Sequence, residues 1–329
     1  MKIMKKIIGE EKGNVVVFTA FTIISMIGFA ALSIDVSSIL TARNQLQTAT
    51  DAAALSGATG LLTSHTVSSN RAIATAGRNL CLRQPVVLGN SDISFPQANQ
   101  IMVQARQPVT LNFASIFGIT SANISSLAVA EVGSIIGTTG MKPWGVPDMN
   151  YQPGDVVCIK SGVLGAPGTN PSFFYPIDFP PVNRGTPETG ANVYRNNIVN
   201  GTSSYVAVSD ILQVEPGNMV GPTQQGVNSL INQDPGAYWD PNYGVEGGVV
   251  NSTAGPDGSS ASPRVVIIPM YDPNQAPDSG RNTITVTRLG AFFVTGFQGK
   301  NLYGSFMQIW HQGTFGSGSS MLKGVKLVQ

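Results

Sequence analysis

The sequence predicts an α+β protein: a long N-terminal membrane-anchored helix packed on a small antiparallel sheet, followed by a loop-rich, mostly β C-terminal domain. Three observations lead to this class. Residues 15–34 form an uncharged apolar run, an alanine-rich helical pattern continues beyond it, and short alternating segments separated by turn residues fill the rest. With 329 residues and 42% hydrophobic content, the chain is long enough to build a core.

The apolar run from Val15 to Ile34 is as long as the roughly 20 residues that a transmembrane helix requires. A cleaved signal peptide is the alternative, because residues 30–33 (AALS) resemble a small-residue cleavage site. The run exceeds the about 7 to 15 apolar residues of a signal peptide, and a helical pattern follows it. We therefore expect a retained single-pass anchor.

The charged residues are few and unevenly placed. They make up 11% of the chain, against about 25% in a typical globular protein, and the net charge is +1. No extended basic face is available for phosphate contacts, so nucleic acid is not an expected partner. The basic cluster that precedes the apolar run predicts a cytoplasmic N-terminus by the positive-inside rule, and it consists of Lys2, Lys5, Lys6 and Lys12.

Small and apolar side chains recur beyond the span with a heptad-like period, which predicts one interaction face on the helix. This face, called the α1 seam below, consists of Ile39, Ala42, Leu46, Ala49 and Ala53. The opposite side is polar, with Arg43, Asn44, Gln45, Gln47 and Asp51. Three heptads are short for a coiled coil, so we expect the seam to pack on the protein's own globular part; a second helix is the alternative.

Four regions follow from these patterns. They are a cytoplasmic basic segment (1–12), the transmembrane helix with its alanine-rich continuation (13–80), a small β region (81–140), and a Gly/Pro-rich β domain (141–329). The small residues from Gly133 to Met141 predict a linker. In the last region the predicted core strands are Arg264–Pro269, Thr283–Thr287, Gly290–Thr295, Leu302–Trp310 and Leu322–Val328.

The sequence nominates no catalytic, cofactor-binding or metal-binding residue. Its two histidines, His65 and His311, lack a local nucleophile motif. The loop from Asp272 to Asp278 offers oxygen ligands for calcium, but it lacks EF-hand spacing and is better explained as a hairpin turn. Cys81 and Cys158 would face an oxidising compartment. The sequence is compatible with a disulfide between them and equally with two separate buried thiols.

The residues around the span resemble the N-terminal segment of TadG-like proteins of the tight-adherence (Flp) pilus-assembly system. The resemblance covers about residues 12–62 and includes an aliphatic-Asp pair at Ile34-Asp35, a basic residue, then Leu-Gln and Asp-Ala-Ala-Ala-Leu. Its motif residues are Asp35, Leu46, Gln47, Asp51, Ala52, Ala53 and Ala54. Neither Gly9 nor Gly13 is followed at the fifth position by Glu, so the prepilin cleavage pattern is absent.

The resemblance implies a non-enzymatic structural or assembly component of a Flp pilus system, anchored in the inner membrane with its bulk in the periplasm. Implied partners are the membrane and other pilus-assembly proteins or pilins, reached through the N-terminal helix, and a homo-oligomer is also open. No cofactor is implied. The alternative is a membrane-tethered binding or enzymatic ectodomain unrelated to pili, with its site in the long loops between Met149 and Pro263.

Overall fold

The fold is α+β, as predicted: one long N-terminal helix, a small antiparallel sheet, and a mostly β remainder. The computed structural model describes residues 11–160, 174–217, 219–275, 283–299 and 301–328, with the side chains of 11–14 and 160 excepted. The contacts divide the chain into two compact units. Unit 1 holds residues 1–132 and 325–329, and unit 2 holds residues 133–324.

Unit 1 begins with helix α1, which runs without a break through Glu11–Ala58. Helix α2 (His65–Gly77) packs on its outer half and starts at Ser64, whose Oγ accepts a hydrogen bond from the backbone N of Val67 at 3.2 Å. The alanine-rich continuation of the span is thus divided into two helices by a tight turn that begins after Ala58.

The sheet of unit 1 is built on one long hairpin. After the short strands β1 (Leu80–Cys81), β2 (Gln84–Pro85) and β3 (Ile93–Ser94), strand β4 (Gln100–Thr110) pairs antiparallel with β5 (Ser121–Thr138) over its whole length. Buried side chains alternate along β4, so one face of the hairpin lies against α1. This face and the helices enclose a core that is rich in alanine.

The described part of unit 2 contains two α-helices and the remaining strands, of which the last continues into unit 1 from Val325. They are β6 (Trp144–Pro147), β7 (Val156–Lys160), β8 (Tyr175–Asp178), α3 (Ala191–Asn200), β9 (Val206–Ala207), β10 (Ile211–Val214), α4 (Val220–Gln233), β11 (Tyr238–Asp240), β12 (Gly248–Val250), β13 (Val265–Tyr271), β14 (Thr283–Gln298), β15 (Asn301–Phe306), β16 (Ile309–Trp310), β17 (Thr314–Gly316) and β18 (Leu322–Leu327).

Five of these strands close into a ring of pairings, a partial β-barrel. The order is β10-β8-β6-β13-β14, and the first residues of β14 pair back onto β10. Strands β15 and β7 extend the sheet from the second half of β14. Only β6 and β13 run parallel within this sheet. The ring encloses large side chains such as Trp144 and Phe292, which are fully buried.

Three sequence-based expectations for this part were wrong in detail. Thr283–Thr287 and Gly290–Thr295 belong to one strand, β14, rather than two. The predicted linker from Gly133 is largely the end of β5, where Gly133 and Gly137 leave room for the rings of Phe315 and Tyr205. The predicted strand Leu302–Trp310 is divided into β15 and β16. The four-region division itself remains a prediction.

Candidate functional site

The α1 seam lies against the protein's own unit 1. Ala42, Leu46, Ala49 and Ala53 are fully buried, and Ile39 is partly buried against the same core. Their neighbours are α2 and the β4 face of the hairpin. Another chain therefore has no access to this face while unit 1 is folded.

Two glycines allow α2 to approach α1 closely at the end of the seam. A Cβ on Gly57 would lie 2.5 Å from Ile101 Cδ1 and 3.2 Å from the carbonyl oxygen of Ser68. A Cβ on Gly60 would lie 2.6 Å from the backbone N and Cα of Ser68. Ser68 Oγ donates to the carbonyl oxygen of Gly57 at 2.7 Å, which fixes the crossing. Small side chains let helix backbones pack at such distances.

The polar flank of α1 also forms hydrogen bonds to the strands of unit 1. Ser126 Oγ on β5 donates to Gln47 Oε1 at 2.8 Å, while Gln47 Nε2 donates to Asp51 Oδ1 at 2.7 Å. The backbone N of Leu82 donates to Gln45 Oε1 at 2.8 Å. These amides are exposed on one side and hydrogen-bonded on the other, so they border the buried seam.

Asp35 is the most strongly held polar side chain of the helix. It is 2% exposed, and its carboxylate accepts hydrogen bonds from the backbone N of Asn112, Phe113 and Ala114 at 3.0, 3.0 and 2.7 Å. These groups open the 3-10 helix Ala114–Phe117 at the tip of the β4–β5 hairpin. An anionic acceptor suits such unpaired helix-start donors. At the sequence level Asp35 was only a member of the family motif, because no local pattern links it to residues so distant along the chain.

The inner part of α1 has the opposite environment. Large apolar side chains from Val15 to Ile34 are about half exposed or more. The most apolar stretch of α1 contains no buried residue. Hydroxyl groups within it are satisfied internally, since Thr19, Thr22, Ser25 and Ser33 donate to the carbonyls four residues earlier at 2.7 to 2.8 Å. Among the described residues, α1 is the one helix that is both long enough and apolar enough to cross a membrane.

The comparison with known families addresses this helix and no other part of the chain. Residues 13–60 match the family model Tad, described as "Putative Flp pilus-assembly TadE/G-like". The resemblance is confirmed over these residues. No curated protein and no solved structure matches the chain. The match indicates involvement in Flp pilus assembly and an N-terminal membrane anchor.

The Tad segment, residues 13–60, ends within the turn that connects α1 to α2. It contains the apolar run, the α1 seam, Asp35, Gln47 and Gly57. Of the motif residues, Asp35 and Gln47 form hydrogen bonds to the β4–β5 hairpin, and Leu46 lies in the core of unit 1. Ala53 and Ala54 are fully buried there, and Ala52 is partly exposed.

The two cysteines lie in different units. Cys81 is a buried thiol whose Sγ contacts the carbonyl oxygen of Ala42 at 3.4 Å, and burial raises its pKa. Cys158 is buried on β7 of unit 2. A disulfide between them remains a prediction.

The other groups considered for chemistry have structural neighbours. His65 stacks on Phe95 with ring centroids 4.0 Å apart, and His311 Nε2 lies 3.0 Å from Thr138 Oγ1. Asp272 accepts hydrogen bonds from Asn274, while Asp278 lies outside the described residues. No group of three or more His, Cys, Asp or Glu placed to hold a metal occurs among the described residues.

A buried polar cluster in unit 2 was missed at the sequence level. The carboxylate of Asp234 accepts hydrogen bonds from Ser262 and Ser252 at 2.6 and 2.7 Å and from the backbone N of Thr253 at 3.1 Å. Burial alone would raise the pKa of Asp234, but these donors together lower it. Arg264 donates to carbonyl oxygens nearby, including that of Ala237 at 2.6 Å. The cluster ties the loops that follow α4 to β13, which is a structural role.

Proposed function

We propose that this protein is a non-enzymatic structural or assembly component of a Flp tight-adherence pilus system. One observation carries the proposal: the segment that matches the Tad model is both the only candidate membrane span among the described residues and the scaffold on which unit 1 is built. A helix that continues from the bilayer into a folded unit transmits position and force without a hinge. Such a connection suits an anchored assembly component.

The proposed topology places residues 1–12 in the cytoplasm and the bulk of the chain in the periplasm, with α1 crossing the inner membrane once. The lysines before the span support this orientation. In cells with a permeabilised outer membrane, we expect an impermeant maleimide to label Val245→Cys, because Val245 is 98% exposed. A cysteine in place of Lys6 should stay unlabelled until the inner membrane is opened. The reverse labelling pattern would refute the topology.

The proposed partner surface is the exposed side of α1 just outside the span, since the seam is occupied by unit 1. Val36 and Leu40 are 45% and 53% exposed there. Other pilus-assembly proteins or pilins, or a second copy, would contact this side. A photo-crosslinking residue at Leu40 should capture a pilus component in intact cells, whereas the same residue at Val245 should not. Equal capture at both positions would exclude a specific helix surface.

Deletion of the gene tests the function as a whole. We expect loss of Flp pili and of surface adherence, both restored by the wild-type gene supplied in trans. Normal piliation and adherence in the deletion strain would overturn the proposal and favour the tethered ectodomain with its own binding or enzymatic site.

A further inference from the structure

The tip of the β4–β5 hairpin is unusually apolar for a segment exposed to water. Residues 111–120 connect the two strands, and Leu111 N donates to Thr120 O at 2.9 Å, so the loop is closed at its base. Its exposed apolar side chains are Phe113, Ile116, Phe117 and Ile119, at 37%, 78%, 85% and 57%, and the polar residues Asn112, Ser115 and Thr120 are also exposed. Exposed apolar patches of this kind mark interaction surfaces.

The hairpin runs along α1 toward the membrane. Three contacts fix the alignment: Gly57 faces Ile101, Gln47 bonds Ser126, and Asp35 bonds Asn112. From Gly57 to Asp35 the helix spans about 33 Å at 1.5 Å per residue. From Ile101 to Asn112 the strand spans about 36 Å at about 3.3 Å per residue. The two elements therefore stay side by side, and the loop arrives at the residue where the apolar run of α1 ends.

The composition of the hairpin tip favours lipid at this position. No charged residue occurs from Gln107 to Ala130, so no ion must be moved out of water with the loop. The backbone N groups at the start of its 3-10 helix are satisfied by Asp35, which removes a further cost of leaving water. Phenylalanine and isoleucine then supply an apolar surface for the interfacial region of the bilayer.

We infer that residues 113–119 insert into the outer-facing leaflet of the membrane beside α1, as a second and shallow membrane contact. The occupant of this surface is the lipid bilayer, and Asp35 sets the depth of the loop by clamping it at the end of the span. This inference rests on the proposed anchor. It goes beyond the anchor because it fixes the rotation and height of unit 1 on the membrane.

The test uses the full chain reconstituted in liposomes, with an environment-sensitive fluorophore on Phe117→Cys. Because Phe117 is 85% exposed, its replacement leaves no gap in unit 1. Leu62→Cys is the matched control: Leu62 is also apolar and exposed, at 43%, but it follows the far end of α1. Cys81 and Cys158 are buried, and wild-type protein treated with the same reagent measures any background labelling.

Lipids that carry a spin label near the acyl-chain carbonyl should quench the Phe117→Cys probe several-fold more than the Leu62→Cys probe, while aqueous iodide should show the opposite order. Equal lipid quenching at the two positions would overturn the inference. Shielding from iodide without lipid quenching would also overturn it, since a protein partner or a second copy would then cover the loop. Resistance of the liposome-bound chain to carbonate extraction tests the anchor separately, so failure of the anchor and failure of the loop are distinguishable.

Discussion

The two halves of helix α1 differ in both composition and environment. The inner half, Val15 to Ile34, is strongly apolar, yet its side chains contact almost nothing in the protein. The outer half is rich in Ala, Gln and Thr, and it carries the buried seam on which unit 1 is assembled. Apolar content along this helix therefore marks the part that is long and apolar enough to cross a membrane. Small side-chain size at a period near 3.5 residues marks contact with protein.

The comparison is tested most strongly by the glycines of the two halves. Gly57→Leu should destabilise unit 1 by about 1–3 kcal/mol, because the new side chain must displace Ile101 and α2. Gly28→Leu is the matched control, since a Cβ at Gly28 meets nothing within 4 Å. Hydrogen exchange of α2 and β4 amides in detergent measures the difference. Equal exchange in the two variants would mean that the close helix crossing is absent.

Overpacking within the seam should have a somewhat smaller effect. Ala53→Leu is expected to cost about 1–2 kcal/mol, because Ala53 is fully buried and the larger side chain would overpack the core. Asn44→Leu on the exposed side is the control. Gln47 also lies on the polar side but would not serve as a control, because its amide forms hydrogen bonds with Ser126 and Asp51. Unfolding midpoints by circular dichroism in detergent compare the two variants, and a harmless Ala53→Leu would indicate a solvated seam.

Loss of the Asp35 carboxylate should destabilise only the tip of the β4–β5 hairpin. Asp35→Asn replaces an acceptor-only carboxylate with an amide whose NH2 group cannot accept the hairpin donors, at a cost of about 1 kcal/mol. Hydrogen exchange should rise at Asn112, Phe113 and Ala114 and change little in α2. Asp51→Asn removes a comparable charge on the exposed flank and should leave these amides protected. Protected amides in Asp35→Asn would show that the loop holds without the carboxylate.

The smallest effect on folding is expected on the exposed side beyond the span. Leu40→Gln should change the free energy of unfolding by no more than about 0.5 kcal/mol, because Leu40 is 53% exposed. Pilus assembly should nevertheless fall if this side binds another component. Thermal unfolding of the purified variant and a piliation assay separate the two results. Wild-type piliation would remove Leu40 from the partner surface.

Much of the architecture could be predicted because it follows from local periodicity. The span, the seam and the α+β class each depend on side-chain spacing within one segment. Elements with weak patterns were missed or misjudged. Helix α3 buries only Tyr194 and Ile198, so its sequence shows little helical periodicity. Strand β14 was predicted as two strands with Arg288 and Leu289 in the gap between them, although both residues are buried within one continuous strand.

By itself, the sequence determined that α1 is apolar along one half and small along one face of the other, and this pattern carries the Tad match. Only the tertiary structure decided what meets that face and what Asp35 does. The hydrogen bonds from Asn112, Phe113 and Ala114 join residues far apart in the chain, as do the pairings that return β14 to β10. Such contacts form when whole elements pack, and the spacing of residues within a single segment does not encode them.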